Sequence, residues 1–379
     1  MRTQQLFMGL VLLGLVLTSC NNTETYDGLA PVNPKATKEA RQLLGFLYSI
    51  QGEYTLTGQH NFVSDLDRYN DAVHEITGKY PVVWGSDFSF NALGDSTHKF
   101  QHCGPMNLSV PFDSCVFNGL STEELRQGMI DEAMDQYKQG RIITLMWHCC
   151  FPTEGDDCNG NSIWTWDNRP SEETWAELVS EGSELNTMWK KQMDGVAKYL
   201  KQLQDAKIPV LWRPYHEMNG KWFWWCNKPG ENGFKKLWIM TYEYLTNHHQ
   251  LNNLIWVWNT NAPRDIPGDE AGPYADFYPG SDYVDILAAD VYRRDYKQSH
   301  HDDLLELGGG KLIALGEVGQ LPTPDQLESQ PYWAWFMTWG YFVNFGRDGG
   351  EGIRAIYNHP KCITLDEIDF SGNTYKLKI

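Results

Sequence analysis

The chain reads as an α/β protein, a (β/α)8 TIM barrel with long loops on its C-terminal face. Eight short apolar runs alternate with helical stretches over roughly 320 residues, the pattern of a parallel barrel with insertions. The runs are continuously apolar rather than alternating, as expected where helices cover one face of a sheet and a core the other. Several of them end in charged or hydrogen-bonding residues, at the end where a barrel presents its functional groups. A doubly wound open sheet is the competing architecture. It calls for a glycine-rich phosphate turn after the first strand, and Gly58-Gln59-His60 is not one.

The elements follow in order. Lys38 to Gln51 has apolar residues at helical spacing and stops at Gly52, so a helix across the base of the domain is expected. Strands are expected at 56–60, 81–88 and 142–148, the first followed by a helix over 65–77, the second by a long loop and a helix over 124–139. Ser121-Thr122-Glu123-Glu124 opens that second helix as a capping box. A tryptophan-rich insertion, Phe151 to Trp175, precedes a helix over 184–203. The fourth strand is the run Ile208 to Trp212, which continues into Arg213-Pro214-Tyr215-His216-Glu217-Met218 and an Asn-Gly turn. A helix over 233–246, strands at 254–259 and 284–292, a helical piece over 302–307 and a strand at 311–317 come next. A helix over 326–339 and an eighth strand at 353–357 complete the expected barrel. No internal repeat or low-complexity run interrupts it, and residues 38–379 read as one catalytic domain.

Composition narrows the partners. The net charge of −18 argues against nucleic acid or an anionic membrane surface, while leaving a neutral substrate such as a glycan open. Sixteen Trp and 13% aromatic residues indicate a packed globular enzyme, most of those rings being core. Met1-Arg2 and the apolar run Leu6 to Leu17 form a secretory leader too short to span a bilayer, ending in Leu17-Thr18-Ser19-Cys20. That ending resembles a bacterial lipobox, so residues 1–19 are expected to be removed and Cys20 acylated. Residues 20–37 then form a polar tether, and the protein is exported and lipid-anchored, in the outer membrane of a Gram-negative bacterium. Seven further cysteines, an odd number, leave at least one thiol unpaired. Cys103 with Cys115, and Cys158 with Cys149 or Cys150, are the local pairs expected. His148-Cys149-Cys150 is poor chelate geometry, and neither a metal nor a cofactor is expected.

The strand ends gather His60, Asp87, His148, Arg213, His216, Glu217, Asn259, Tyr292 and Glu317 on one rim. Two carboxyls from different strands can flank a sugar ring, one protonating the leaving oxygen while the other attacks; about 5–5.5 Å between them means retention of configuration. A Glu closing an apolar strand beside His has few structural uses. Glu317 alone, in Gly-Glu-Val-Gly, could be an ordinary strand end. An Arg beside a Glu is usually an ion pair.

Trp212-Arg213-Pro214-Tyr215-His216-Glu217-Met218-Asn219-Gly220, taken with Leu315-Gly316-Glu317-Val318-Gly319, resembles glycoside hydrolase family 26. Gly58-Gln59-His60, Trp84-Gly85-Ser86-Asp87 and Trp147-His148 look like the first three strand ends of that family. The resemblance covers most of residues 37–379. It implies Glu217 as acid/base and Glu317 as nucleophile, with His216 in the place most of the clan gives to Asn. It further implies that Arg213 and Tyr292 hydrogen-bond Glu317, that His148 meets sugar hydroxyls, and that Trp222, Trp164 or Trp166, and Trp339 offer stacking faces. The implied activity is a retaining endo-β-1,4-mannanase acting on mannan, glucomannan or galactomannan. A monomer is expected. An exo-acting mannobiose-releasing enzyme, another β-glycanase of the family, a non-catalytic glycan-binding lipoprotein and a metal-dependent hydrolase are the alternatives.

Overall fold

The computed structural model describes residues 28–63, 66–88, 122–155, 162–166, 169–345 and 350–378. The expected leader at 1–19, the acylated Cys20, the capping residue Ser121, the Cys103–Cys115 pair and Cys158 lie outside them.

Eight parallel strands close on themselves: β1 (Gly58–His60), β2 (Val83–Asp87), β3 (Ile142–Trp147), β4 (Val210–Pro214), β5 (Leu254–Asn261), β6 (Ile286–Val291), β7 (Leu312–Val318) and β8 (Trp333–Thr338). Each pairs with the next, and the β8–β1 pairing of Thr338 with Gln59 shuts the barrel. Every residue of β2 through β8 is buried. That is the reason the runs carry no polar alternation: the inner face packs on the barrel core and the outer face on helices. Ten of the sixteen Trp are fully buried, Trp84, Trp212, Trp256, Trp258, Trp333 and Trp335 on the strands themselves.

Two expected elements are corrected. The stretch 326–339 is not one helix. A short helix, Pro324–Ser329, gives way at Gln330-Pro331 to β8, whose six residues are all buried. Proline disfavours a helical conformation at the residue before it, and that break was present in the sequence. The stretch 353–357 is not a strand but part of a helix, Glu351–Tyr357, whose buried residues Ile353, Ile356 and Tyr357 stand at i, i+3 and i+4.

The first helix, α1 (Lys38–Ser49), is capped by Thr37, whose hydroxyl accepts from the Ala40 amide at 3.2 Å. It packs on the C-terminal hairpin Ile368–Ser371/Thr374–Leu377, with Phe46 stacked on Tyr375. Residues 32–37, expected as the end of a tether, are instead docked on the barrel. The Val32 amide donates to Asp285 Oδ1 at 2.7 Å, its carbonyl accepts from the Tyr242 hydroxyl at 3.0 Å, and the Thr37 amide donates to the Asn252 carbonyl at 2.8 Å. Asn252 and Asp285 immediately precede β5 and β6, so this docking lies at the N-terminal pole of the barrel, opposite the rim that carries the site. No helix among the described residues is long and apolar enough to cross a membrane.

Cys150 is disulfide-bonded, and Cys149, Cys226 and Cys362 are buried thiols.

Candidate active site

The chain leaves β4 through two residues in the left-handed region, Tyr215 at φ +52° and Glu217 at φ +54°. For residues with a Cβ this conformation costs on the order of 1 kcal/mol each and persists only where the surroundings impose it. Here the Glu217 amide donates to the Asn259 carbonyl at 2.8 Å, the Gly220 amide to the Glu217 carbonyl at 2.9 Å, and the Trp225 indole to the His216 carbonyl at 2.7 Å. The Tyr215 hydroxyl accepts from the Trp189 indole at 2.9 Å. The turn thereby aims the Glu217 carboxyl into the barrel mouth, 7% exposed. Oε2 accepts from the Trp222 indole N–H at 2.6 Å and Oε1 from the Asn261 side-chain amide.

Glu317 reaches the same mouth from β7, through an irregularity. The register between β6 and β7 shifts so that Ala289 faces Leu315 but Asp290 faces Glu317, skipping Gly316. Bulges of this kind re-aim a side chain beside an active site. Gly316 is required there: a Cβ would stand 1.8 Å from Asn259 Oδ1. The Tyr292 hydroxyl donates to Glu317 Oε2 at 2.8 Å. Arg213 Nη1 lies 3.5 Å and His216 Nε2 3.7 Å from Oε1. Arg213 is itself fixed, donating to Asn259 Oδ1 at 2.6 Å, and Asn259 donates onward to Asp290 Oδ1 at 2.7 Å.

Burial pushes the Glu217 carboxyl up to about 7, and the charge of Glu317 adds to the push; Asn261, Arg264 and Trp222 oppose it. Burial pushes Glu317 up to about 7 as well, opposed first by the Arg213 guanidinium and then by the Tyr292 hydroxyl. The charge of Glu317 raises Glu217, so ionisation of the one disfavours ionisation of the other. Among the described residues only Glu317 has a guanidinium within 3.5 Å, which favours its charged form over that of Glu217. Asp290 beneath them is pushed well above the carboxylate range, first by burial and then by the charges of Glu317 and Glu217. His216, Asp290 and Glu317 bring possible ligand atoms within 4.8 Å of one another, but Arg213 already lends positive charge to this corner and a divalent cation would have to contend with it.

The remaining residues singled out in the sequence fall around this pair. His148 follows β3 and is gripped by Asp87 at the end of β2: its ring Nδ1 lies 2.5 Å from Oδ2, and its amide donates to Oδ1 at 3.1 Å. The ring meets His216 edge-on, 4.3 Å between centroids. Trp339, just past β8, stacks on His60 at 3.8 Å and presents its edge to His148. Trp164 and Trp166 are 37% and 50% exposed, beside Phe223 and Trp222 respectively, where a flat ligand can reach them. Trp222 departs from its expected role as an open stacking face. Its N–H is spent on Glu217 and the Arg264 guanidinium covers its ring at 5.3 Å.

Sequence reasoning missed Asn261 and Arg264. The fifth strand runs two residues beyond the expected Asn259, and the polar cluster Asn259-Thr260-Asn261 was its signal. Arg264 sits in a proline-containing loop with no periodicity to flag it.

A parallel barrel that delivers one acid just after its fourth strand and another on its seventh, both in one aromatic mouth, belongs with enzymes that work on glycosidic bonds. The sequence profile of Glycosyl hydrolase family 26 matches residues 32–97 and 120–367, and the chain belongs to that family. It is 34% identical over 344 residues to a mannan endo-1,4-beta-mannosidase of Thermothelomyces thermophilus, covering 89% of this chain and 62% of that one. With a mannan endo-1,4-beta-mannosidase of Bacillus subtilis it shares 30% identity over 370 residues, covering 90% and 89%. Among solved structures, GH26A from Muricauda sp. superposes with a TM-score of 0.78 at 44% identity, covering 89% of this chain and all of that one. The chain spans between 50% and 62% of the length of the first curated relatives it matches.

Proposed function

We propose that the protein is a retaining endo-β-1,4-mannanase that hydrolyses mannan, glucomannan or galactomannan by double displacement. One observation carries the reading: two buried glutamates, on the positions the family motif assigns to them, share one mouth but have opposite surroundings. Glu317, held ionised by Arg213 and Tyr292, attacks the anomeric carbon as Glu217 gives its proton to the departing oxygen. Glu217, now a carboxylate, takes a proton from water, which releases the sugar from Glu317 and restores both groups. Relatives that carry the name mannan endo-1,4-beta-mannosidase support the choice of polymer. Trp164, Trp166 and Trp339 supply apolar faces for pyranose C–H surfaces, and His148 hydrogen-bonds hydroxyls.

The test is hydrolysis of a defined manno-oligosaccharide in heavy-oxygen water, with the anomer of the first product read by NMR. Internal cleavage with a β product is the result expected. Release of mannobiose alone from chain ends would replace the endo reading by the exo one, inversion would overturn double displacement, and failure to cleave any mannan would overturn the substrate. We also propose that the enzyme is exported and anchored through acylated Cys20, on the lipobox-like Leu17-Thr18-Ser19-Cys20. Labelling with radioactive palmitate that survives Cys20→Ala would overturn the anchor.

A further inference from the structure

Both side chains that hold the Glu217 carboxyl are themselves held by a single residue. Arg264 Nη1 donates to Asn261 Oδ1, and Asn261 Nδ2 donates to Glu217 Oε1. The same guanidinium lies 5.3 Å from the centroid of the Trp222 ring, whose N–H donates to Glu217 Oε2. Its other nitrogens are fastened to Asp269: Nε donates to the carbonyl at 2.9 Å and Nη2 to Oδ1 at 2.5 Å. Asp269 is in turn paired with Arg293 at 2.7 Å. The loop is pinned by reciprocal backbone hydrogen bonds between Arg264 and Ala271, and by the Gly272 amide donating to the Asn219 carbonyl. Asn219 closes the loop onto the β5 end, accepting from the Asn261 amide and donating to its carbonyl, each at 2.8 Å. A chain of oriented donors therefore runs from the loop after β5 to both oxygens of one carboxyl.

We propose that Arg264 is a positioning residue that sets the proton affinity and aim of the acid/base glutamate through Asn261 and Trp222, without touching the glycosidic bond. The inference rests on Glu217 being the acid. Hydrogen bonding to the Arg264 guanidinium polarises the Asn261 amide, which strengthens its donation to Glu217 and favours the carboxylate. The guanidinium's own charge acts in the same direction. Through the Trp222 ring it also holds the second donor at the opposite oxygen. Without Arg264, burial and Glu317 would keep the proton on Glu217 to higher pH, while the carboxyl lost its fixed direction. The titratable groups facing Glu217 are Glu317 on β7, Asp290 and Tyr292 at the end of β6, the Cys226 thiol that donates to its carbonyl, and His216 beside it. Arg264 is the cation whose influence reaches Glu217 from the β5 side.

The sign is testable. In kcat/KM for an unactivated manno-oligosaccharide the alkaline limb reports loss of the acid's proton. Arg264→Met should move that limb up by about one pH unit, since loss of a nearby cation raises a carboxyl pKa. At the wild-type optimum it should lower kcat/KM about tenfold, because an acid held to higher pH and aimed poorly gives up its proton less well. On an aryl mannobioside with a dinitrophenolate leaving group, which departs without protonation, the loss should stay under about twofold. Arg264→Lys should restore much of the limb position, and Asp269→Asn should give a smaller shift of the same sign; these two carry the test if Arg264→Met does not fold. Profiles for all three that superpose on wild type would overturn the proposal, as would equal losses on both substrates without a shift. Glu217→Ala run alongside separates the two levels: if it keeps wild-type turnover, the acid assignment has failed rather than the role of Arg264.

Discussion

The β4 turn and the end of β7 present the same side chain to the same cavity, and almost everything around the two carboxyls differs. Glu217 is met by neutral donors, an indole and an amide, on a strained turn. Glu317 is met by a guanidinium, a phenol and an imidazole on a bulged strand. Neutral donors orient a carboxyl while leaving its proton available; a buried cation favours the charged form outright. In the proposed mechanism two residues of one type become acid and nucleophile through their neighbours, and the division is written into strands four to seven rather than into the glutamates.

The comparison breaks most visibly at the charged end. Glu317→Ala should lower turnover of mannan by at least about 10^4-fold, since no second nucleophile stands in its place. Azide should restore part of the rate on an activated aryl glycoside; a variant that retains wild-type turnover would sink the assignment.

At the neutral end, Glu217→Ala should lower kcat/KM on manno-oligosaccharides by about 10^2- to 10^4-fold. The aryl substrate, which needs no acid to leave, should lose far less. Equal losses on both substrates would mean that the two carboxyls have not divided the work.

Arg213→Met tests what keeps them apart. Glu317 loses the guanidinium that lowers its pKa, so the acidic limb of kcat/KM should climb by about one unit or more. Breaking a buried pair from one side should also cost about 3–5 kcal/mol of stability, read as a lower Tm. An unmoved acidic limb in a folded variant would show that Tyr292 and His216 suffice.

The smallest effect belongs to Trp222→Phe, which keeps a ring beside Arg264 and removes one donor from Glu217. Losing a hydrogen bond to the ionised form raises the Glu217 pKa, so the alkaline limb should rise by about half a unit. A downward shift would reverse the account of how the indole acts.

Much of this was legible in the sequence because a barrel strand announces itself twice, by an unbroken apolar run and by the polar residues that end it. Arg213, His216 and Glu217 follow such a run directly, and so does Glu317. The eighth strand escaped because Trp333 to Thr338 is equally apolar as helix or strand, and only Pro331 marked the boundary. Ile353, Ile356 and Tyr357 were read as a strand although their spacing is helical. Pairings across the barrel left no local trace. Asp87 and His148 were each recognisable, but their mutual grip depends on the register that places Asp87 beside Met146. Arg264 illustrates the limit further: its partners stand 3, 5 and 42 residues away, in a loop whose path no periodicity fixes.

The docking of residues 32–37 beneath β5 and β6 has a practical corollary. The segment itself holds the molecule by its back, so a tag or a bead attached through it would leave the opening turned outward. Under the proposed function, a long polymer would then meet the opening without colliding with the support, whereas immobilisation through lysines on the outer helices would present the opening at random.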